Sequence, residues 1–220
     1  MQEPWPRIYR EAPEVFAAFR RAEDPEGRIP AQLGRCLDLG GRRILELGAG
    51  TGKLAEALAP ACAAWIALEP EAGLLGQGRW EAALPVRGLG QQLPLREGSV
   101  DHGVAAWVLG YLPPSRQARV VAEALRVLRP GGSLWAVENG AGGDFQALRG
   151  VEDWEPGTGR LLADLGFEVV ARVATELRFP SPGEAERILG ALCGEAVRQR
   201  LRARPRAVFS HTAALLRARV

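Results

Sequence analysis

The segment with the most distinctive spacing is a glycine-rich turn that follows a short apolar run. Residues 43–47 predict a strand. Directly after it, every second residue is a glycine, at Gly48, Gly50 and Gly52. Glycines let the backbone turn sharply from a strand into a helix and let it approach a ligand closely. With Glu46 two residues before the first glycine, the segment predicts a nucleotide-binding loop.

Two common phosphate-binding patterns do not fit this loop. A Walker loop requires Gly, four residues, and then Gly-Lys-Ser/Thr, but its first and last positions would fall on Leu47 and Leu54. A dinucleotide fingerprint requires a third glycine three residues after the second, and Lys53 occupies that position. The observed spacing is Gly-x-Gly-x-Gly.

The elements around the loop alternate between strands and helices. Helices are predicted at 13–21, 53–59 and 74–83, and from an N-cap at Ser115 through 128. A further helix is predicted to end over 161–165, and helical segments cover 181–204 with Ser181 as N-cap. Strands are predicted at 43–47, 63–68, 85–87, 100–107, 133–138, 168–174 and 207–215. This alternation predicts an α/β fold whose parallel sheet is covered on both faces, with the ligand at the carboxyl ends of the strands.

The composition excludes several classes of protein. The chain has 220 residues, 47% of them hydrophobic, and a net charge of +2, so we expect one domain with a sizeable core. Its longest stretch without a charged side chain, 102–115, is 14 residues, whereas a membrane span needs roughly 18. Residues 1–7 lack the pattern of a secretory signal, and a cytoplasmic location is expected. Cys36, Cys62 and Cys193 fit neither a disulfide framework nor a metal site.

The Gly-x-Gly-x-Gly spacing with its preceding carboxylate resembles the first motif of class I S-adenosylmethionine (SAM) methyltransferases. Glu69 closes the second predicted strand, where that family has an acidic residue. Further resemblance follows in order over roughly 44–173, in the segments 92–95, 98–101, 125–134 and 165–170.

This resemblance implies a Rossmann-like, doubly wound, seven-stranded and mostly parallel sheet with an antiparallel last strand. We expect a single methyltransferase domain over 1–220, with 1–41 as an N-terminal helical cap and 181–204 as a helical insertion on the substrate side. The implied function is transfer of a methyl group from SAM to a small molecule by in-line displacement, with S-adenosylhomocysteine as product and without a metal.

The resemblance also implies a set of cofactor-binding residues. Glu46 would attract the methionine ammonium, Glu69 would accept the ribose hydroxyls, and Leu74 would pack on the adenine. The position of Leu89 is often an Asp in the family, and Gln91 or Gln92 could substitute for it. The expected cofactor-binding residues are Glu46, Gly48, Ala49, Gly50, Thr51, Gly52, Glu69, Pro70, Leu74, Gln91, Gln92, Leu93 and Ala106.

The acceptor side is less defined by the sequence. Trp107 and Tyr111 would flank the substrate mouth or pack under the following helix, and Tyr9 could close over the cofactor. Residues 106–112 lack the Asp/Asn-Pro-Pro-Tyr/Phe pattern of enzymes that methylate amide or adenine nitrogens. His102 and His211 are expected to be structural, and the sequence identifies no catalytic residue.

Two other functions stay open at this stage. An arginine-rich end could bind nucleic acid and make the protein an RNA methyltransferase, although a solvated helix face is the more common explanation. The protein could also bind SAM without turnover. The arginines concerned are Arg198, Arg200, Arg202, Arg204 and Arg206.

Overall fold

The fold is built on one seven-stranded sheet, seen in a computed structural model that describes residues 5–151 and 153–219. The strand order is β3-β2-β1-β4-β5-β7-β6; β1 to β5 run parallel, and β7 pairs antiparallel with both of its neighbours. This confirms the Rossmann-like fold with an antiparallel last strand. The strands are β1 (Arg43–Leu47), β2 (Ala64–Glu69), β3 (Leu84–Arg87), β4 (Val100–Ala106), β5 (Leu128–Asn139), β6 (Glu168–Arg178) and β7 (Val208–Arg219).

Helices cover both faces of the sheet, as the near-continuous apolar strands require. Alternate residues of β1 face opposite sides: Leu45 packs in the same core as α6 and α8, and Ile44 packs in the core of α3 and α4. In the described residues no helix is long and apolar enough to cross a membrane. The helices are α1 (Trp5–Glu11), α2 (Pro13–Ala22), α3 (Arg28–Cys36), α4 (Lys53–Leu58), α5 (Ala72–Leu75), α6 (Pro114–Val127), α7 (Asp144–Arg149), α8 (Pro156–Asp164), α9 (Pro182–Cys193) and α10 (Glu195–Ala203).

The helix predicted at 74–83 is wrong, because only Leu74 and Leu75, the last two residues of α5, are helical in that range. Gly76 and Gly78 have low helix propensity, and the indole Nε1 of Trp80 donates to the carbonyl of Leu75 at 2.9 Å. A Cβ on Gly78 would lie 2.5 Å from the Trp80 ring. The tryptophan therefore folds back over the helix end and replaces the next helical turn.

Two predicted helix starts have different outcomes. Ser115 is not an N-cap: α6 begins at Pro114, with Pro113 before it and no side-chain cap, because proline suits the first position of a helix. Ser181 does cap α9, and its hydroxyl accepts from the backbone N–H of Glu184 at 3.2 Å. The last strand is also longer than predicted and reaches Arg219.

The N-terminal helices and the insertion form a third layer with its own core. Phe19 of α2 packs with Ile188 of α9 and Leu201 of α10. The ammonium of Lys53, at the start of α4, donates to the carbonyls of Arg20, at 2.9 Å, and of Glu23. A cation suits the carbonyl end of a helix, so this lysine joins the glycine turn to α2.

Candidate functional site

A cavity of about 900 Å³ opens at the carboxyl ends of β1, β2, β4 and β5. The strand order reverses between β1 and β4, and ligands of doubly wound folds bind at such a switch point. Helices α1 and α2 contribute to its wall, whereas no residue of α9 or α10 is among the described residues that line it. The insertion thus lies behind α2 rather than over the cavity.

Glu46, on β1, lines the cavity and is 2% exposed. One of its carboxylate oxygens accepts from the indole Nε1 of Trp65 at 2.8 Å. Burial raises the pKa of Glu46 to about 7 against the opposing effects of Trp65 and Arg20, and the negative charge of Glu69 adds to the increase. A cationic ligand in the cavity would stabilise its ionised form.

The glycine turn and Glu69 are held together by backbone contacts. Gly48, Gly50 and Gly52 all have positive φ, at 67°, 58° and 77°, a conformation that favours glycine. The carboxylate of Glu69 accepts from the backbone N–H of Gly50 at 2.9 Å and from that of Glu71 at 3.0 Å. Burial raises the pKa of this carboxyl. Because a carboxylate has about four acceptor positions, it retains some for the hydroxyls of a ligand.

Most of the residues predicted for the site meet in this one cavity. Thr51, Gly52, Gln92 and Leu93 are not among the residues that line it. The predicted residues that line the cavity are Glu46, Gly48, Ala49, Gly50, Glu69, Pro70, Leu74, Gln91, Ala106, Tyr9, Trp107 and Tyr111.

Trp107 directly follows β4 and has φ of 56°, an uncommon value for a large side chain. Its backbone N–H donates to the carbonyl of Val137 at 2.7 Å, and its indole Nε1 donates to Oδ1 of Asn139 at 2.9 Å. The Asn139 amide nitrogen donates in turn to the hydroxyl of Tyr111. The guanidinium of Arg20 lies 4.7 Å from the Trp107 ring centre. These contacts fix both aromatic side chains in the cavity wall.

Sequence reasoning missed several residues of this wall. Phe16 and Phe19 of α2 and Phe145 of α7 line the cavity together with Asn139. The Tyr9 and Phe16 rings meet edge to face, with centroids 4.8 Å apart. Asn139 could have been found, because it ends the fifth strand and ligands bind at strand ends; the phenylalanines carried no comparable signal.

A close contact between two glycines shapes the side of the cavity near α8. A Cβ on Gly157 would lie 1.7 Å from the carbonyl oxygen of Gly110, and a Cβ on Gly110 would lie 2.6 Å from Oε2 of Glu138. The other oxygen of Glu138 accepts from the Gly110 N–H at 2.8 Å. The absence of side chains at both glycines lets the 3-10 turn Leu109–Tyr111 lie against α8.

Neither histidine lines the cavity. His102 shares a hydrogen bond of 2.9 Å with the Ser133 hydroxyl, and His211 is 1% exposed between the rings of Trp107 and Phe145. Burial lowers the pKa of His211 to about 4, so it is neutral near neutral pH. The described residues contain no cluster of three or more metal-ligating side chains.

Comparison with known proteins finds one domain family. Residues 45–136 match the family described as a methyltransferase domain. An uncharacterized methyltransferase of Mycobacterium tuberculosis is 38% identical over 114 residues, which are 50% of this chain and 45% of the relative. The biotin biosynthesis bifunctional protein BioHC of Cellvibrio japonicus is 34% identical over 117 residues, 52% of this chain and 22% of that protein. This chain thus matches less than half the length of these curated relatives.

Solved structures share the fold at low identity. A Bacillus halodurans protein superposes with a TM-score of 0.62 at 20% identity, covering 87% of this chain and 98% of its own. The YcgJ protein of Bacillus subtilis gives 0.61 at 16% identity, covering 86% and 97%. The [4+2]-cyclase SpnF gives 0.55 at 20% identity, covering 87% and 80%. These likenesses concern the fold alone.

The buried Glu138 predicts a pH-dependent stability. Burial, reinforced by Glu155, raises the pKa of Glu138 to about 8 against the opposing backbone N–H of Gly110. The folded protein therefore holds a proton that the unfolded chain releases above pH ~4.5, and stability falls as the pH rises from about 5 to 8. Glu138→Gln, whose amide oxygen can still accept from Gly110, should remove this loss.

Urea unfolding at pH 5, 6.5 and 8 measures the effect. The stability of Glu138→Gln relative to wild type should rise with pH, by on the order of 1 kcal/mol per pH unit. Glu56→Gln serves as control because Glu56 is exposed, and the stability of this variant should equal that of the wild type at each pH. A constant difference between Glu138→Gln and wild type would contradict a neutral, buried Glu138.

Proposed function

We propose that the chain is a class I SAM-dependent methyltransferase, as the methyltransferase-domain match over residues 45–136 supports, and that it transfers the methyl group of SAM to a small molecule held in the cavity. The observation that carries this proposal is the pair of buried carboxylates, Glu46 and Glu69, which line the cavity beside the glycine turn. They match the ammonium and the ribose hydroxyls that this cofactor presents.

The residues of the cavity fit SAM from one end to the other. Glu46 would pair with the methionine ammonium, and Glu69 would accept from the ribose hydroxyls. The turn at Gly48 and Gly50 allows close approach of the ligand to the backbone. Leu74, 2% exposed, would pack on the adenine. Thr51, Gly52, Gln92 and Leu93 would then support the loops instead of touching the cofactor.

The reaction needs little chemistry from the protein. When bound, SAM supplies a methyl carbon already activated by the sulfonium, so the acceptor atom displaces S-adenosylhomocysteine in line. The protein's part is to align the acceptor and exclude water. Trp107 and Tyr111, fixed through Asn139, would orient the acceptor, while α1 and α2 would cover it.

The charges on α10 and directly after it favour a small molecule over RNA as the acceptor. Arg198 and Arg202 pair with Glu195 and Glu186, at 3.2 and 2.7 Å. Arg206 pairs with Asp144 at 2.9 Å, and Arg200 donates to a backbone carbonyl. Four of the five arginines are thus engaged within the chain and offer little to a phosphate backbone. This arrangement fits the solvated, salt-bridged helix face.

Cofactor binding should depend on pH through Glu46. The carboxyl of Glu46 has a pKa near 7 in the free protein, so it must lose a proton before it can pair with an ammonium. About one-tenth of the molecules are ionised at pH 6 and about nine-tenths at pH 8. Calorimetry with S-adenosylhomocysteine should therefore give an affinity roughly tenfold higher at pH 8.

Glu46→Gln is the matched variant, because its amide oxygen can still accept from Trp65. We expect it to bind S-adenosylhomocysteine at least about tenfold more weakly than wild type at pH 8 and with little dependence on pH. Wild-type binding by this variant at both pH values would remove Glu46 from the cofactor site.

Turnover separates the three candidate functions. Purified protein is incubated with methyl-labelled SAM and either a mixture of small metabolites or total RNA. The proposal expects label in a small molecule together with stoichiometric S-adenosylhomocysteine. Label in RNA, with an affinity that falls steeply with salt, would support the RNA alternative. Cofactor binding without label in either arm would support a protein without turnover.

A further inference from the structure

Most charged side chains of the cavity wall are already paired within the chain. Arg10 lies 3.6 Å from Glu71, and Arg20 pairs with Glu23. Glu155 pairs with the buried Arg149 at 2.6 Å. The proposed function assigns Glu46 and Glu69 to the cofactor. Two cavity-lining charges then stand apart from these pairs: Arg116 on α6 and Arg160 on α8.

Arg116 and Arg160 have no carboxylate partner within the parts of the chain that the structure describes, 5–151 and 153–219. Arg116 is exposed, and Arg160 is half-buried. Arg160 donates to the side-chain oxygen of Gln117 at 3.2 Å and to the carbonyl of Leu112 at 3.4 Å. A guanidinium has five N–H donors in a planar fork, so most of this donor set is left for a ligand.

The position of these arginines in the fold points to the acceptor rather than the cofactor. Glu46 and Glu69 lie on β1 and β2, on one side of the switch point. Helix α6 follows β4 and helix α8 follows β5, on the other side. Arg160 is also joined to Leu112, which adjoins Tyr111 of the proposed acceptor wall. An anionic group held here would belong to a molecule that lies beside the cofactor.

The rest of the acceptor wall is aromatic. Phe16, Phe19, Trp107, Tyr111 and Phe145 all line the cavity. A wall rich in aromatic side chains suits a planar aromatic body, and arginine recognises a carboxylate through two parallel hydrogen bonds. Resting on the proposed function, we propose that the methyl acceptor is a planar aromatic molecule with a carboxylate, whose ring lies against this wall and whose carboxylate binds Arg116 and Arg160.

Paired probes that differ only in charge test this assignment. Calorimetry on protein saturated with S-adenosylhomocysteine compares 2-naphthoate with 2-naphthamide, which have the same ring system. Wild type should bind the carboxylate at least about tenfold more tightly than the amide. The double variant Arg116→Gln/Arg160→Gln should lose this preference and keep the wild-type affinity for S-adenosylhomocysteine.

Arg119→Gln is the matched control, because Arg119 is an exposed arginine of α6 outside the cavity lining, and this variant should behave as wild type. Equal affinity of wild type for both probes, or a preference that survives in the double variant, would overturn the inference. Weaker binding of S-adenosylhomocysteine by a double variant with an unchanged melting temperature would also overturn it, since the arginines would then hold the cofactor's own carboxylate. Failure of wild type to bind S-adenosylhomocysteine would instead overturn the proposed function.

Discussion

Two carboxylates held in a buried cleft are the constraint on which the site depends. Glu46 and Glu69 lie on neighbouring strands of the sheet, 2% and 5% exposed, and burial raises the pKa of both carboxyl groups. Burying acids is unfavourable unless partners compensate for it. The chain supplies only part of that compensation, through Trp65 and backbone N–H groups. A ligand with an ammonium and vicinal hydroxyls would supply the remainder.

The other layers of the fold serve to enclose this cleft. The N-terminal helices lie against the glycine turn through Lys53, the only lysine of the chain. Helices α9 and α10 support α2 from behind through a separate apolar core. On the other side, the contact between Gly110 and Gly157 brings α8 close to the end of β4. A polar cofactor pocket thus adjoins an aromatic acceptor wall inside one cavity.

The sequence predicts well whatever local chemistry determines. The strand and glycine turn at 43–52 could be recognised because a sharp turn requires glycine, and Glu69 could be recognised because it ends the next strand. The helix predicted at 74–83 is wrong because the decisive contact, Trp80 on the carbonyl of Leu75, is a side-chain interaction that periodicity does not register. Arg20 and Arg160 could not be assigned to the site, since their positions depend on how distant helices pack.

The most direct measurement is a crystal structure of the protein with S-adenosylhomocysteine. The account predicts the nucleoside at the ends of β1 and β2, with its ammonium within hydrogen-bond distance of Glu46 and its ribose hydroxyls on Glu69. A ligand bound elsewhere on the molecule, or one that fills this cavity without touching either carboxylate, would contradict it.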